Sequence, residues 1–141
     1  MLDAYRDLID ELLETPNVIR GAIDAQGEGN VPVEARRLIA GLRDRDRAVL
    51  GRAQSMTRQD TPYVQVLRLE EPDADDPLAD LLEEMETARG DLVSLLINLS
   101  LKDWERQAIH ETEGEITLAD EIERHVEYDE DQRRQLRELM S

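Results

Sequence analysis

The sequence contains no cysteine and no phenylalanine, and its aromatic residues, one Trp and three Tyr, make up 3% of the chain. Without cysteine the chain can form neither disulfides nor thiolate metal sites, and it cannot use a cysteine nucleophile. It also lacks any apolar run near the ~18 residues that a membrane-spanning helix needs. The N-terminal stretch MLDAYRDLIDELLE is charged and amphipathic, unlike a secretion signal. We therefore expect a soluble, cytoplasmic protein.

Positive charge is scarce as well, because the chain has 34 Asp and Glu residues but 17 Lys and Arg residues. The formal net charge is −17 at pH 7 with His neutral. Binding to a phosphate backbone requires a basic surface that releases counterions. The composition thus argues against nucleic acid and against an anionic membrane surface as partners. The simplest meaning of so many acidic side chains is a set of well-solvated helix surfaces.

Leucine-rich segments with helical spacing dominate the rest of the sequence, which predicts an all-α four-helix bundle. We expect a single domain that spans residues 1–141. The sequence contains no nucleophile elbow, no phosphate-binding loop and no dinucleotide fingerprint. The helices are predicted at about residues 2–26, 32–56, 77–99 and 117–140.

Two Thr residues carry signals for helix starts. Thr15 is followed by Pro16, which has the form of an N-cap and a first helical position, so the first helix is predicted to break there. Thr117 stands three residues before Asp120, which predicts a capping box at the start of the last helix.

Two segments between the helices have no helical spacing. Residues 57–76 are predicted to form a long crossover, which lets the second and third helices run parallel. Within it, YVQVLRL (63–69) alternates like a strand, but a lone strand would have no partner. The segment 100–116 is predicted to consist of turns and a loop. In it, Trp104 would cap the end of the core as a half-buried indole, and His110 would be exposed.

Polar side chains interrupt the apolar faces of three helices. One Arg falls on the apolar face of the second helix and one on that of the third, while the last helix carries His, Asp and Gln, with Tyr at the margin. Three interpretations are open: a splayed and hydrated bundle end, a buried polar network, and a ligand pocket between helices. The candidate pocket residues are Arg45, Arg89, His125, Tyr128, Asp129 and Gln132.

Asp129 needs a partner if it is buried, because a lone carboxylate inside a bundle either protonates or is strongly destabilising. We predict that Arg45 forms an ion pair with it, with Arg89 as the competing partner. His125 and Asp129, four residues apart, could instead form a two-ligand metal clip. A hydrogen bond is the more common role for such a pair, and a nearby Arg would oppose a dication.

The stretch LLINLSLKDWERQAIHETEGEITLADEIERHVEYDEDQRRQLREL (95–139) resembles the DinB/YfiT-like superfamily of small bacterial four-helix bundles. RRLIAGLRDRDRAVLGRAQSM (36–56) is similar to the second helix of that family. The resemblance implies an up-down-down-up bundle, often dimeric. The matching motif consists of Leu99, Ser100, Asp103, Trp104, Arg106, His110, Gly114, Thr117 and Leu118.

The resemblance also implies the positions of a divalent metal, which typical family members hold with three His residues. In this sequence the three positions are Gly41, Tyr128 and Gln132. Glycine has no side chain to offer, a neutral phenol is a poor ligand, and an amide oxygen is a weak one. We therefore expect no metal cofactor at this site.

The favoured function is that of a non-metal small-ligand-binding or interaction protein built on a former enzyme scaffold. The alternative is an enzyme, a thiol-dependent transferase or a hydrolase, that uses no metal or a relocated one near His110, His125 or Asp129. The resemblance also favours a homodimer. Apolar residues that lie off the main helix faces could line its interface, namely Ile39, Leu50 and Leu95.

Overall fold

The computed structural model describes residues 3–141, with side chains described from Tyr5 onward. Four long helices pack into a bundle, a one-turn helix and two short strands lie between the third and the last of them, and a third strand lies between the second and the third. The all-α prediction is confirmed. The helices are α1 (Asp3–Gln26), α2 (Val33–Arg58), α3 (Leu78–Ile97), α4 (Leu101–Trp104) and α5 (Leu118–Leu139), with a 3-10 turn at Glu28–Asn30.

The apolar core consists of two separate clusters, one near each end of the bundle. One cluster contains residues from the N-terminal halves of α1 and α5 and from the C-terminal halves of α2 and α3, and the other cluster contains residues from the opposite halves. Parallel α1 and α5 thus run opposite to parallel α2 and α3, which confirms the up-down-down-up order. The Trp104 cluster includes Leu12, Val49, Leu92, Trp104 and Ile122. The Leu136 cluster includes Ile23, Ile39, Leu42, Leu81 and Leu136.

A three-stranded sheet covers the Trp104 end of the bundle. Strand β1 (Tyr63–Val64) pairs in parallel with β2 (Gln107–His110), which pairs antiparallel with β3 (Gly114–Thr117). The sequence-based expectation that a strand at residue 63 would lack a partner is therefore wrong. The partner lies more than 40 residues away, in the segment predicted as turns and loop, so local periodicity could not reveal it. The inward face of the sheet joins the Trp104 cluster.

Helix α1 continues through Thr15 and Pro16, so the predicted break is wrong. Proline has no N–H to donate to the carbonyl four residues earlier. The carbonyl oxygen of Leu12, which this leaves free, accepts a hydrogen bond of 2.6 Å from Nη1 of Arg89 on α3. A tertiary contact therefore satisfies the helix where the local sequence predicts its end.

The last helix begins as predicted. The Thr117 hydroxyl accepts from the Asp120 N–H at 3.1 Å, and the Asp120 carboxylate accepts from the Thr117 N–H at 2.9 Å. Two of the backbone donors at the start of α5 are therefore satisfied by the cap. This cap directly follows β3 and sets the point at which the chain enters the bundle.

The long connection between α2 and α3 is held against α2 by arginine side chains. Arg43 donates to the carbonyl oxygen of Asp73 at 3.2 Å, and Arg36 donates to that of Asp76 at 2.5 Å. The connection crosses the bundle and lets α2 and α3 run parallel, as expected. In the part of the chain that the structure describes, no helix is both long and apolar enough to cross a membrane.

The three side chains proposed for a dimer interface differ in how far they are exposed to solvent. Ile39 is fully buried in the Leu136 cluster, so that part of the prediction is wrong. Leu50 and Leu95 are partly buried against the Trp104 cluster. Other apolar side chains are exposed, among them Leu13 and Ile97.

We still predict a homodimer, because exposed Leu13 and Ile97 line one groove between α1 and α3 that a second copy could cover. Light scattering at micromolar concentration should then give a mass of twice 16.2 kDa. A single species at 16.2 kDa would contradict the prediction.

Candidate functional site

A layer of buried polar side chains separates the two apolar clusters at mid-bundle. Every helix of the bundle contributes to it, and its central members are shielded from water. Polar groups in such a position destabilise a fold unless each finds a hydrogen-bond partner. The layer consists of Thr15 from α1, Asp46 from α2, Arg89 from α3, and His125 and Asp129 from α5.

Arg89 lies at the centre of this layer and uses all three of its nitrogens. Nη1 and Nη2 grip the two carboxylate oxygens of Asp129 at 2.6 and 2.9 Å. Nε lies 3.0 Å from both carboxylate oxygens of Asp46, and Nη1 also reaches the Leu12 carbonyl. Burial opposes the charge on Arg89, but the two carboxylates outweigh it and hold the pKa of the guanidinium above its usual value.

Asp129 receives further support from α1. The Thr15 hydroxyl donates to Oδ2 of Asp129 at 2.8 Å and accepts from Nε of Arg133 at 2.8 Å. Both oxygens of Asp129 are therefore engaged by donors of the chain itself. The Asp129 carboxylate therefore forms its hydrogen bonds within the layer and is not accessible to an outside ligand.

His125 links the layer to the bundle surface. Its Nε2 lies 2.7 Å from Oδ1 of Asp46, and its Nδ1 accepts from Nε of Arg45 at 3.2 Å. These contacts assign the Nε2–H tautomer. The guanidinium of Arg45 in turn stacks on the ring of Tyr128, 4.3 Å from its centroid. Arg45 and Tyr128 are half-buried and lie next to the layer, on its outer side.

The predicted ion pair between Arg45 and Asp129 is wrong, because Asp129 pairs with Arg89 and Arg45 bonds to His125. The metal clip formed by His125 and Asp129 is not present either. Although the two residues are neighbours on α5, His125 bonds to Asp46 and Asp129 to Arg89.

Sequence reasoning missed Asp46, which receives both Arg89 and His125. A signal for it was present: Asp46 follows Leu42 by four residues and precedes Val49 by three, which is the spacing of the buried face. Arg45, one position earlier, has the same kind of spacing, three residues after Leu42 and four before Val49, so periodicity alone does not choose between the two. Of the three interpretations, the buried polar network therefore describes His125, Asp129 and Arg89.

Two of the other candidates, Tyr128 and Gln132, line an open cleft beside the layer, which we call the Tyr128 cleft. Tyr128 and Gln132 contribute from α5 and Gly41 from α2, and the volume is about 650 Å³. A Cβ placed on Gly41 would lie 4.0 Å from the Tyr128 hydroxyl oxygen and 3.9 Å from Pro72. The three positions that the family resemblance marks as metal ligands are thus brought together, on one cleft.

The groups at these three positions do not fit a divalent metal. Gly41 offers no side chain, and burial raises the pKa of the Tyr128 phenol, with Arg45 offsetting part of the shift. The phenol is therefore neutral at neutral pH and a poor ligand. Across residues 3–141, with side chains from Tyr5, no group of three or more His, Cys, Asp and Glu side chains is arranged to hold a metal ion.

His110 is buried in β2, so the prediction of an exposed loop histidine is wrong. Its Nδ1 accepts backbone N–H groups of Thr112 and Glu113 at 3.2 and 3.3 Å, in the turn that joins β2 to β3. The ring thus closes the hairpin. Trp104 is likewise more buried than expected, at 1% exposure, and stacks on Tyr5 with centroids 4.7 Å apart.

Comparison with known proteins identifies the architecture. No protein-family model matches the sequence, and no curated protein does. Among solved structures, YfiT from Bacillus subtilis superposes with a TM-score of 0.78 and 19% sequence identity, covering 95% of this chain and 84% of that one. YfiT is described as a probable metal-dependent hydrolase with an unusual four-helix bundle topology. At this identity the likeness concerns the fold, and the chain has the DinB/YfiT-like four-helix bundle fold.

Proposed function

We propose that this protein binds a small ligand, or a partner, in the Tyr128 cleft without a metal. One observation carries the proposal: Gly41, Tyr128 and Gln132 meet in a single open cleft, and none of them is an imidazole. The fold is similar to that of a probable metal-dependent hydrolase, whereas the groups at these three positions suit hydrogen bonding better than metal ligation.

The lining of the cleft indicates which ligands suit it. The charged side chains around it include three carboxylates, from Glu34, Glu71 and Glu138, and one guanidinium, from Arg37. Tyr128 and Gln132 add a hydroxyl and an amide. A cleft with excess negative charge attracts cations and disfavours anions. The ligand we propose is therefore a neutral or cationic polar molecule, and we propose that binding takes place in the cytoplasm.

Metal titration of the wild-type protein and of a variant with the three His residues introduced tests the part of this proposal that concerns the metal. Ni²⁺ or Zn²⁺ should leave the unfolding midpoint of the wild type unchanged. The triple variant Gly41→His, Tyr128→His, Gln132→His should gain stability with metal, by about 2.7 kcal/mol at a hundredfold excess over the dissociation constant.

The control is the double variant Tyr128→His, Gln132→His, which has only two of the three ligands and should gain less. A rise in the wild-type midpoint that disappears in Gln132→Ala would contradict the proposal. No gain in the triple variant, if it folds, would mean that the three positions do not form the former site.

An enzyme that uses no metal or a relocated one is the competing proposal, and what supports it is that the similar YfiT is described as a probable hydrolase, although a metal-dependent one. A relocated metal finds little support at His125 and Asp129, since both are engaged within the layer. Metal-independent turnover of an ester or thiol substrate that requires His110 would favour this alternative over simple binding.

A further inference from the structure

A second, smaller cleft lies on the sheet side of Arg45. Its volume is about 340 Å³, which is at the lower end of the range for small-molecule sites. Helices α2 and α5 form one wall, and the turn between β2 and β3 forms another. We call it the Glu121 cleft, and its polar lining includes Arg45, Arg52, His110, Thr112, Glu121 and Arg124.

Glu121 provides a buried acceptor that the described part of the chain does not use. The residue is 4% exposed, and its Oε1 accepts from Nη1 of Arg52 at 3.0 Å. Its Oε2 is buried and has no hydrogen-bond partner among the described residues. A buried carboxylate oxygen without a donor is strongly unfavourable, so such groups nearly always have a partner. The cleft therefore calls for a donor from outside the chain.

Arg45 provides a positively charged donor in the same cleft. Its Nε donates to the neutral acceptor Nδ1 of His125, and its face stacks on Tyr128. Burial lowers the pKa of Arg45, and the negative charges of Glu121 and Asp129 offset only part of this. Its Nη groups have no carboxylate within hydrogen-bond distance among the described residues. A half-buried guanidinium of this kind is suited to bind an anion through its paired donors.

The neighbouring groups support an anion at this end of the cleft. Because Nδ1 of His110 accepts the Thr112 N–H, its Nε2 carries the proton and is a donor. The lining contains three arginines but only two carboxylates, from Glu113 and Glu121. A chain with a net charge of −17 thus has a locally cationic cleft. Arg52 and Arg124 are already paired with these carboxylates, which leaves Arg45 for a ligand.

We propose that the Glu121 cleft binds a small carboxylate that also bears a hydroxyl or ammonium group. The carboxylate would be held by Arg45, and the hydroxyl or ammonium group would donate to Oε2 of Glu121. This pairing satisfies both uncompensated groups at once. The inference does not rest on the function proposed for the Tyr128 cleft, because the two sites have different linings and opposite charge.

Titration of the wild-type protein with four small probes tests the requirement for both groups. Glycine and glycolate, which carry a carboxylate and a donor, should produce saturable binding by calorimetry or NMR shifts. Acetate lacks the donor and methylammonium lacks the carboxylate, so each should bind at least about tenfold more weakly. Equal binding of acetate and glycolate, or no saturable binding of glycine and glycolate, would overturn the proposal.

Variants then locate the binding. Glu121→Gln and Arg45→Met should each weaken binding of glycolate or glycine by about tenfold or more. Their matched controls are Glu123→Gln on α5 and Arg47→Met on α2, which change the same charges at exposed positions outside the cleft. Loss of affinity in Gln132→Ala instead would place the ligand in the Tyr128 cleft and overturn the assignment. If a cleft variant fails to fold, the wild-type probe series still decides.

Discussion

Replacing Arg89 with Met should lower the free energy of unfolding by about 3–5 kcal/mol. The guanidinium is 1% exposed and lies between the carboxylates of Asp46 and Asp129, which the substitution would leave buried without their cation. It would also leave the Leu12 carbonyl without a donor, because Pro16 cannot supply one. Denaturant unfolding followed by the fluorescence of the single Trp measures the change.

Arg134→Met is the control, since Arg134 is an exposed arginine on α5 and its loss should change stability by no more than about 0.5 kcal/mol. A double-mutant cycle of Arg89→Met with Asp129→Leu should show strong coupling, because the two side chains share two hydrogen bonds. The same cycle with Arg45→Met in place of Arg89→Met should show weaker coupling. Stronger coupling to Arg45 would restore the pairing expected from the sequence.

Replacing Trp104 with Ala should destabilise the protein by about 3–5 kcal/mol, through lost apolar contact and the cavity that remains. The indole is fully buried at the end of α4, where it packs face to face on Tyr5 of α1 at an interplanar angle of 4°. For a domain of this size the melting temperature should fall by roughly 10–20 °C. Circular dichroism is the measurement, because the variant has no tryptophan fluorescence.

Leu101→Ala is the matched control for Trp104, since Leu101 lies on the same short helix at the same end of the bundle but is 45% exposed and does not line the groove proposed for the dimer. Its truncation should have little effect, within about 0.5 kcal/mol. A loss below 1 kcal/mol for Trp104→Ala would show that this end of the core is loosely packed.

Because the polar layer is closed, the ligand binding that we propose is assigned to the Tyr128 and Glu121 clefts beside it. The central groups of the layer bond to one another, and Arg89 uses all of its nitrogens within the chain. The layer fixes the position of His125, and His125 orients Arg45 through a hydrogen bond. Arg45 in turn stacks on Tyr128. A side chain of each cleft is therefore placed by the same buried network.

The sequence by itself determined the positions of the four long helices, though not the continuity of α1, together with the capping box at Thr117 and the lack of imidazole at Gly41, Tyr128 and Gln132. These features depend on local spacing and on residue chemistry, and both can be read along one segment. The sequence also indicated that polar groups enter the core, because periodicity tells which face of a helix a side chain occupies. That information concerns one helix at a time.

Only the tertiary structure decided which of these groups meet. Helical periodicity placed Arg45 and Arg89 on inward faces alike, but the relative rotation and height of the helices bring Arg89 to Asp129. The tertiary structure also decided the continuity of α1, because the hydrogen-bond partner of the Leu12 carbonyl comes from α3. It likewise decided that β1 forms, because its partner strand is more than 40 residues away. Each of these contacts joins segments that are distant in sequence, so its energy depends on packing that no local pattern records.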